Sequence, residues 1–392
     1  MAKKPVRKPA AKPRRVTRPA PAKHKSVREI AAPAVTRPPR ATSGELELLR
    51  DLSNAVAVSG DEGAVRRIVL DAIRNHVDEV KVDALGNVLA VKRGSGRGER
   101  VLVAAHMDEV GFMVTGHDDD GTLRFETVGS LDARLLPGKA VWIGSRRLPG
   151  VIEIAPIYLV PADDRKSAPK VSKLRIDLGV DSAEAAQSLV RLGDRGAFAT
   201  EFAAFGPALR GKALDDRLGC ATLIELLRAP AKYPFELHAA FTVQEEVGLR
   251  GARVAGYAVN PACAFVLDCA PAHDLPHHDR ERENTQYNTR LGLGPAIYIA
   301  DRGTLYDERL IRYLQATAEA NGIPYQFRQP GGGGTDAGAI HLARGGVPTA
   351  AVSVPGRYLH TPAALIRAED WRNTVKLLRL ALENWTPQVL KR

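Results

Sequence analysis

The sequence predicts an α/β protein: a mixed sheet with helices on both faces and a smaller β-rich domain inserted into it. The core follows from helix and strand signals that alternate over residues 44–112 and again over 208–392, the pattern that builds a layered sheet. The insert follows from residues 113–207, where short strands are broken by Gly, Pro and Asp clusters. A chain of 392 residues has room for this division, because single cores stop growing at about 250–300 residues.

Taken in order, GELELLRDLSNAVAVSGDEGAVRRIVLDAIRNH reads as two amphipathic helices separated by a Ser-Gly-Asp turn. DEVKVDALGNVLAVKRGSGRGERVLVAAH then gives a strand, a Leu-Gly-Asn turn, a second strand, a glycine-rich turn, and a third strand ending at His106. The insert supplies strands in TLRFETVG, AVWIGSRRLPGVIEI and KLRIDLGV and one helix in DSAEAAQSLVRLG. From GKALDDRLGC onward the alternation resumes: a helix over 217–228, strands over 237–244 and 264–267, a helix over 307–321, then PYQFRQ, a glycine run, a helix and the strand TAAVSV.

The net charge of +11 is local. Residues 1–43 carry thirteen Lys or Arg against Glu29 alone, a tail of +12 on a body of −1. Eight prolines and few large apolar residues leave this tail too little to bury, so it is expected to be disordered. It reads as a solubilising extension or as an arm for nucleic acid or another polyanion, and its arginine-rich, acid-poor start also fits organelle import. No run approaches the roughly 18 apolar residues of a membrane span. Three sparse cysteines without zinc-type spacing point to a reducing compartment, taken as the cytoplasm. Of these, Cys269 follows Asp268 in a strand, so its side chain faces away and is assigned to the core.

Five metal-grade residues fall in five separate segments: His106, Asp215, Glu246, Asp268 and His360. All but Asp215, which precedes a helix, lie at or just past a strand's carboxyl end, the edge where α/β sheets assemble sites. Each alone has an ordinary structural explanation. His106 with Asp108 could be a core histidine beside a capping Asp, or a ligand whose ring a carboxylate orients. Asp215 and Asp216 could both be helix caps, or one could bridge two metals. Glu245 and Glu246 could form a solvated turn, or divide coordination and proton transfer between them. Together, two imidazoles and three carboxylates can hold two divalent ions if one carboxylate bridges, with Glu245 left to handle a proton.

The strings HMDEVGFMV, ALDDRLGC, TVQEEVGLRGA and GGGGTDAGAIHLARGGVPTAAVSVPGRYLHTP, with VSGDEGAVRRIV and VDALGNVLAVKRG before them, resemble the dinuclear metal aminopeptidases that include glutamyl and deblocking aminopeptidases. The resemblance covers roughly residues 44–386 and implies a zinc-peptidase core. It implies His106 and Asp268 on one ion, Glu246 and His360 on the other, Asp215 bridging, Glu245 as general base and Asp108 orienting His106. It places Asp336 of GGTDAG beside the substrate. It implies two divalent ions, zinc foremost with cobalt or manganese as alternatives, peptide substrates that lose their N-terminal residue, and self-association into dimers and hollow twelve-subunit particles packed through the insert. Competing expectations are a related two-metal deacylase or carboxypeptidase, and a scaffold with a polyanion-binding tail. Two features depart from the family pattern: the basic tail, and a His-rich segment over 271–294 in which His273, His277 and His278 could touch metal or substrate.

Overall fold

The computed structural model describes residues 43–96, 98–275 and 289–391. The basic tail up to residue 42, His277 and His278 lie outside the described residues. Helices α1 (Ser43–Asn54) and α2 (Gly63–Ile73) lead into β1 (Glu79–Val82), β2 (Val88–Lys92) and β3 (Arg100–His106). A run of short strands follows: β4 (Gly111–His117), β5 (Leu123–Val128), β6 (Ala140–Ile143), β7 (Leu148–Ile152) and β8 (Ile176–Asp177), then α3 (Ala183–Leu189) and β9 (Arg195–Phe198). Next come β10 (Ala203–Phe205), β11 (Ala208–Gly211), α4 (Leu214–Arg228), β12 (Glu236–Thr242), α5 (Arg250–Val259) and β13 (Cys263–Pro271). The chain continues through β14 (Ala296–Tyr298), α6 (Glu308–Ala320), β15 (Gln326–Arg328), α7 (Ala337–Ile340), β16 (Thr349–Arg357), β17 (Ala364–Arg367) and α8 (Ala368–Asn384).

An eleven-stranded mixed sheet runs β1-β2-β12-β3-β13-β16-β17-β11-β10, with β14 and β15 attached beside β16. Its centre, β12, β3, β13 and β16, is parallel. Strands covered on both faces should read as continuous apolar runs, and β13 is buried from Cys263 to Ala270. Alternation divides these runs between two cores. Val101, Val103 and Ala105 join Phe241, Phe265 and the helices α1, α2, α4, α6 and α8 on one face. Leu102 and Ala104 join Ala264, Val266 and the helices α5 and α7 on the other. Cys269 belongs to the first core, on the face away from Asp268.

The six strands β4 to β9 close into a separate barrel, in the order β4-β5-β8-β7-β6-β9. Closure removes the unpaired edges of an isolated small sheet. Phe112 anchors its interior, edge-on to Phe125 at 5.4 Å and to Phe198 at 5.2 Å, contacts that add about 0.5–1.5 kcal/mol each beyond burial. Sheet and barrel meet tightly where β3 passes into β4: a Cβ at Gly111 would lie 2.5 Å from the Gly196 carbonyl and from Val58. Among the described residues, no helix is long and apolar enough to cross a membrane.

Candidate metal centre

Parallel register sets the floor of the site. His106 ends β3 aligned with Thr242 at the end of β12, and Asp268, on the neighbouring β13, lies two residues past the last one paired with β3. Asp215 arrives from the start of α4, where the chain is not yet helical. There the paired acids separate in role. Asp216 caps the helix, accepting the Gly219 N–H at 2.9 Å and the His106 N–H at 3.3 Å. Gly219 is required, since a Cβ there would meet the Asp216 carboxylate at 2.2 Å. Asp215 is left facing the cleft. Glu245 and Glu246 follow β12 after Gln244, whose φ is +56°. His360 lies beyond β16, its Nδ1 3.1 Å from the Ser130 carbonyl.

These residues converge. His106 Nε2 is 3.3 Å from Asp215 Oδ1, His360 Nε2 is 3.5 Å from Asp215 Oδ2, and His360 Nε2 is 3.1 Å from Glu246 Oε1. Ligand atoms of His106, Asp215 and Asp268 lie within 4.8 Å of one another, as do those of Asp215, Glu246 and His360. Asp215 belongs to both groups, and a shared carboxylate is what two neighbouring ions need. Glu245 forms a further group with His106 and Glu246.

The electrostatics fit cations. Both rings have Nδ1 against a backbone carbonyl, that of Asp108 at 3.2 Å and that of Ser130. A neutral ring that donates from Nδ1 turns the lone pair of Nε2 outward, here onto a carboxylate. Either protons or metal ions must occupy that contact. Without metal the protons win: burial opposes the charged form, but Asp215 and Glu246 lift His360 to about 11. His106 is likewise lifted well above its usual value by Asp108 and Asp215 against burial. Burial pushes Asp268 well up, reinforced by the charges of Asp215 and Asp216. Glu245 is also pushed well up, first by burial and then by Asp336 and Glu246, although His106 pulls the other way. Asp215 alone among the candidate ligands is held below the carboxylate range, by the two histidines against its burial. Its buried Oδ1 forms no well-directed hydrogen bond, meeting His106 Nε2 at 3.3 Å. A crowd of acids around a carboxylate shared by two rings is the donor set of a divalent-ion site. Cys269 also approaches Asp215 and Asp216, but burial and those acids keep it a thiol, and it donates to the Leu214 carbonyl at 3.3 Å.

The ligand edge opens into a cleft of about 480 Å³ whose walls include Tyr298, Arg328, the glycines 332–334, Tyr358 and His273. Asp336, expected beside the substrate, does not line it. Its carboxylate is buried at the start of α7, accepts the Thr242 hydroxyl, and is pushed up to about 6 by burial. The glycine run forms the wall, while the following Asp turns inward onto the Thr242 hydroxyl.

Further interactions surround this centre, and sequence reasoning missed several of their residues. Asp108, expected to orient His106, also gathers the backbone behind it: Oδ1 accepts the Glu245 N–H at 3.0 Å, and Oδ2 accepts the Glu246 N–H at 3.2 Å and the Ser59 hydroxyl at 2.7 Å. Beneath Asp215, the buried Glu109 carboxylate receives Lys212 at 2.7 Å and Arg217 at 3.2 Å. Arg217 also donates to the carbonyls of Met107, Leu52 and Ala57, tying α4 to the chain before and after the site. Their signal was the adjacency of Lys212, Arg217 and Glu109 to candidate ligands, but nothing local reveals a pairing across a hundred residues.

The family described as M42 glutamyl aminopeptidase matches residues 86–377. The lysyl aminopeptidase of Pyrococcus furiosus is 33% identical over 350 residues, 87% of this chain and 97% of its own. Among solved structures, the TET aminopeptidase of the marine-sediment archaeon Thaumarchaeota archaeon SCGC AB-539-E09 superposes with a TM-score of 0.84 at 33% identity, covering 88% of this chain and 98% of that one. The TET1 peptidase of Pyrococcus horikoshii, which can assemble into a tetrahedron or a large octahedral shell, gives 0.77 at 34% identity, covering 87% and 100%.

Proposed function

The chain belongs to the M42 glutamyl aminopeptidase family and is a metal-dependent aminopeptidase, and on that premise we propose how its residues divide the reaction. His106 and Asp268 would hold one ion and Glu246 and His360 the other, with Asp215 shared between them. We take the ions to be zinc, although mixed imidazole and carboxylate donors also suit cobalt or manganese. When bound, the pair lowers the pKa of water from 15.7 towards 7 and polarises the scissile carbonyl. Glu245 takes the proton of the attacking water and returns it to the leaving amine, its carboxylate lying beside His106 and Glu246. Asp108 fixes the His106 ring. Asp215, shared by both ligand groups with one oxygen towards each histidine, is the observation that carries this division.

The experiment is a panel of aminoacyl-arylamides, with free and blocked N-termini, assayed after each metal is restored to stripped protein. Free-amine substrates alone should be cleaved; cleavage of the blocked set would favour a deacylase instead. Glu245→Gln should keep its metal and lose about two to four powers of ten in kcat, and unchanged turnover would remove Glu245 from the mechanism. The panel spans acidic and basic N-terminal residues, since the family is named for a glutamyl enzyme while the Pyrococcus furiosus relative is a lysyl enzyme.

The barrel is proposed to carry self-association into dimers and larger shells. Its β7–β8 connection exposes Ile154, Ile157, Tyr158 and Leu159 in one stretch, an apolar patch of the kind that marks a protein contact. Light scattering that finds only monomer would count against it. Cytoplasmic residence is proposed from three free, buried cysteines; export of the protein in a fractionated culture would contradict it.

A further inference from the structure

Four consecutive backbone amides carry the chain from β12 into the two glutamates, and each donates to a side-chain oxygen from elsewhere. Val243 N–H donates to Asn87 Oδ1 at 2.9 Å, and Gln244 N–H to Glu62 Oε1 at 3.2 Å. Glu245 and Glu246 donate to the two oxygens of Asp108. Here the strand ladder has ended, so these amides have no neighbour strand to satisfy them. The capturing side chains are themselves fixed. Glu62, 2% exposed, also accepts the Gly60 N–H at 2.6 Å. Asn87, fully buried, donates to Asp83 Oδ2 at 2.7 Å and to the Gly251 carbonyl at 3.1 Å.

Between these anchors Gln244 holds the left-handed conformation, which a side chain with a Cβ disfavours and which persists only where surroundings over-determine it. That one residue ends the strand and re-aims the next two. Had the strand continued, Glu245 and Glu246 would face opposite sides of the sheet; instead both have a ligand atom near His106.

We infer that Glu62 and Asn87 are positioning residues for the reaction: by capturing the amides of Gln244 and Val243 they hold the reversal that sets Glu245 and Glu246 at the metal centre. Neither lines the cleft, so neither touches substrate. The inference rests on the proposed roles of Glu245 as base and Glu246 as ligand. It gives a task to VSGDEGAVRRIV and VDALGNVLAV, two motifs that supply no ligand.

The test compares Glu62→Ala with Glu62→Gln, whose amide oxygen can still accept the Gln244 N–H, measuring kcat, KM and bound zinc per chain. Displacement of a reacting group by about 1 Å can cost on the order of 10²-fold. Glu62→Ala should therefore lose roughly 10- to 100-fold in kcat with KM within about threefold and full zinc, while Glu62→Gln stays within about threefold of wild type. In a Glu245→Gln background held at saturating zinc, Glu62→Ala should cost little further, because the base it positions is gone and the ligand Glu246 is held by metal. A zinc-replete Glu62→Ala enzyme with kcat near wild type, or an equal loss in both backgrounds, overturns the inference. If Glu62→Ala does not fold, Asn87→Ala is read by the same criteria. Full activity of Glu245→Gln would sink the base assignment and this inference together; an inactive Glu245→Gln beside an unaffected Glu62→Ala would sink this one alone.

Discussion

An Asp108→Asn substitution exchanges one oxygen for an amide group where four donors converge: the N–H groups of Glu245 and Glu246, the Ser59 hydroxyl, and His106 Nδ1 at 3.5 Å. The asparagine has two orientations. With its oxygen at Oδ2, its NH₂ faces both the Glu245 N–H and the His106 ring. With its oxygen at Oδ1, the NH₂ faces the Glu246 N–H, and the Ser59 hydroxyl can turn to accept; this arrangement should prevail. It still orphans one buried amide, at a penalty of about 1–3 kcal/mol, on the peptide that carries a candidate ligand. Removing a carboxylate that orients a metal-bound histidine weakens metal by about 10- to 100-fold, or roughly 1.4–2.7 kcal/mol, which matches that penalty. The assay is equilibrium dialysis of wild type and variant in zinc buffers of graded free concentration, with zinc per chain as readout and kcat at saturating zinc beside it. Ser59→Ala, which removes one donor and leaves every acceptor in place, should cost less than about threefold. Zinc binding by Asp108→Asn within about twofold of wild type would refute the role given to this carboxylate.

Two further outcomes follow from buried charge. Glu109→Gln leaves Lys212 and Arg217 buried without their counter-ion, a loss of about 3–5 kcal/mol; the thermal midpoint should fall by several degrees, and an unchanged midpoint would show the cluster to be dispensable. Binding metal should release protons: in the metal-free protein His360 is raised to about 11 and His106 is raised in the same direction, so both favour a proton that coordination must displace. Affinity should therefore rise with pH between about 6 and 8, and calorimetry in buffers of different ionisation heat should find at least about two protons released per two ions; no buffer dependence would contradict the protonation of the two histidines in the metal-free protein.

The central strands were legible because burial on both faces leaves a plain trace. VLVAAH, HAAFT, AFVLD and TAAVSV are continuous apolar runs, and the candidate ligands punctuate their ends. The Leu-Gly-Asn turn between the first two strands was legible for a local reason too: Asp83 Oδ1 gathers the N–H groups of Leu85, Gly86 and Asn87 within the turn itself. Boundaries were less so. The strand expected over 237–244 stops at Thr242, because Gln244 has left the extended region. Asp336 shows the same limit: its residue type is right for the site, but a four-residue helix and the Thr242 hydroxyl decide which way it faces, and neither has a local signature.

What sequence could not disclose is how adjacent acids are tolerated. A turn with four amides outside the ladder needs acceptors, and two of the three side chains that supply them are carboxylates, Glu62 and Asp108. Holding the turn thus adds negative charge to a centre that already gathers Asp215, Glu246 and Asp268. Each anchor makes the geometry firmer and the electrostatics worse. Protons can relieve that strain, and the raised affinities of Glu245, Asp268 and both histidines show where they would go. They do so by neutralising the groups that must coordinate and accept protons. Divalent ions relieve the same repulsion while leaving those groups ionised, so the arrangement that fixes Glu245 is the one that demands metal, and loading the site completes its electrostatics as well as its chemistry.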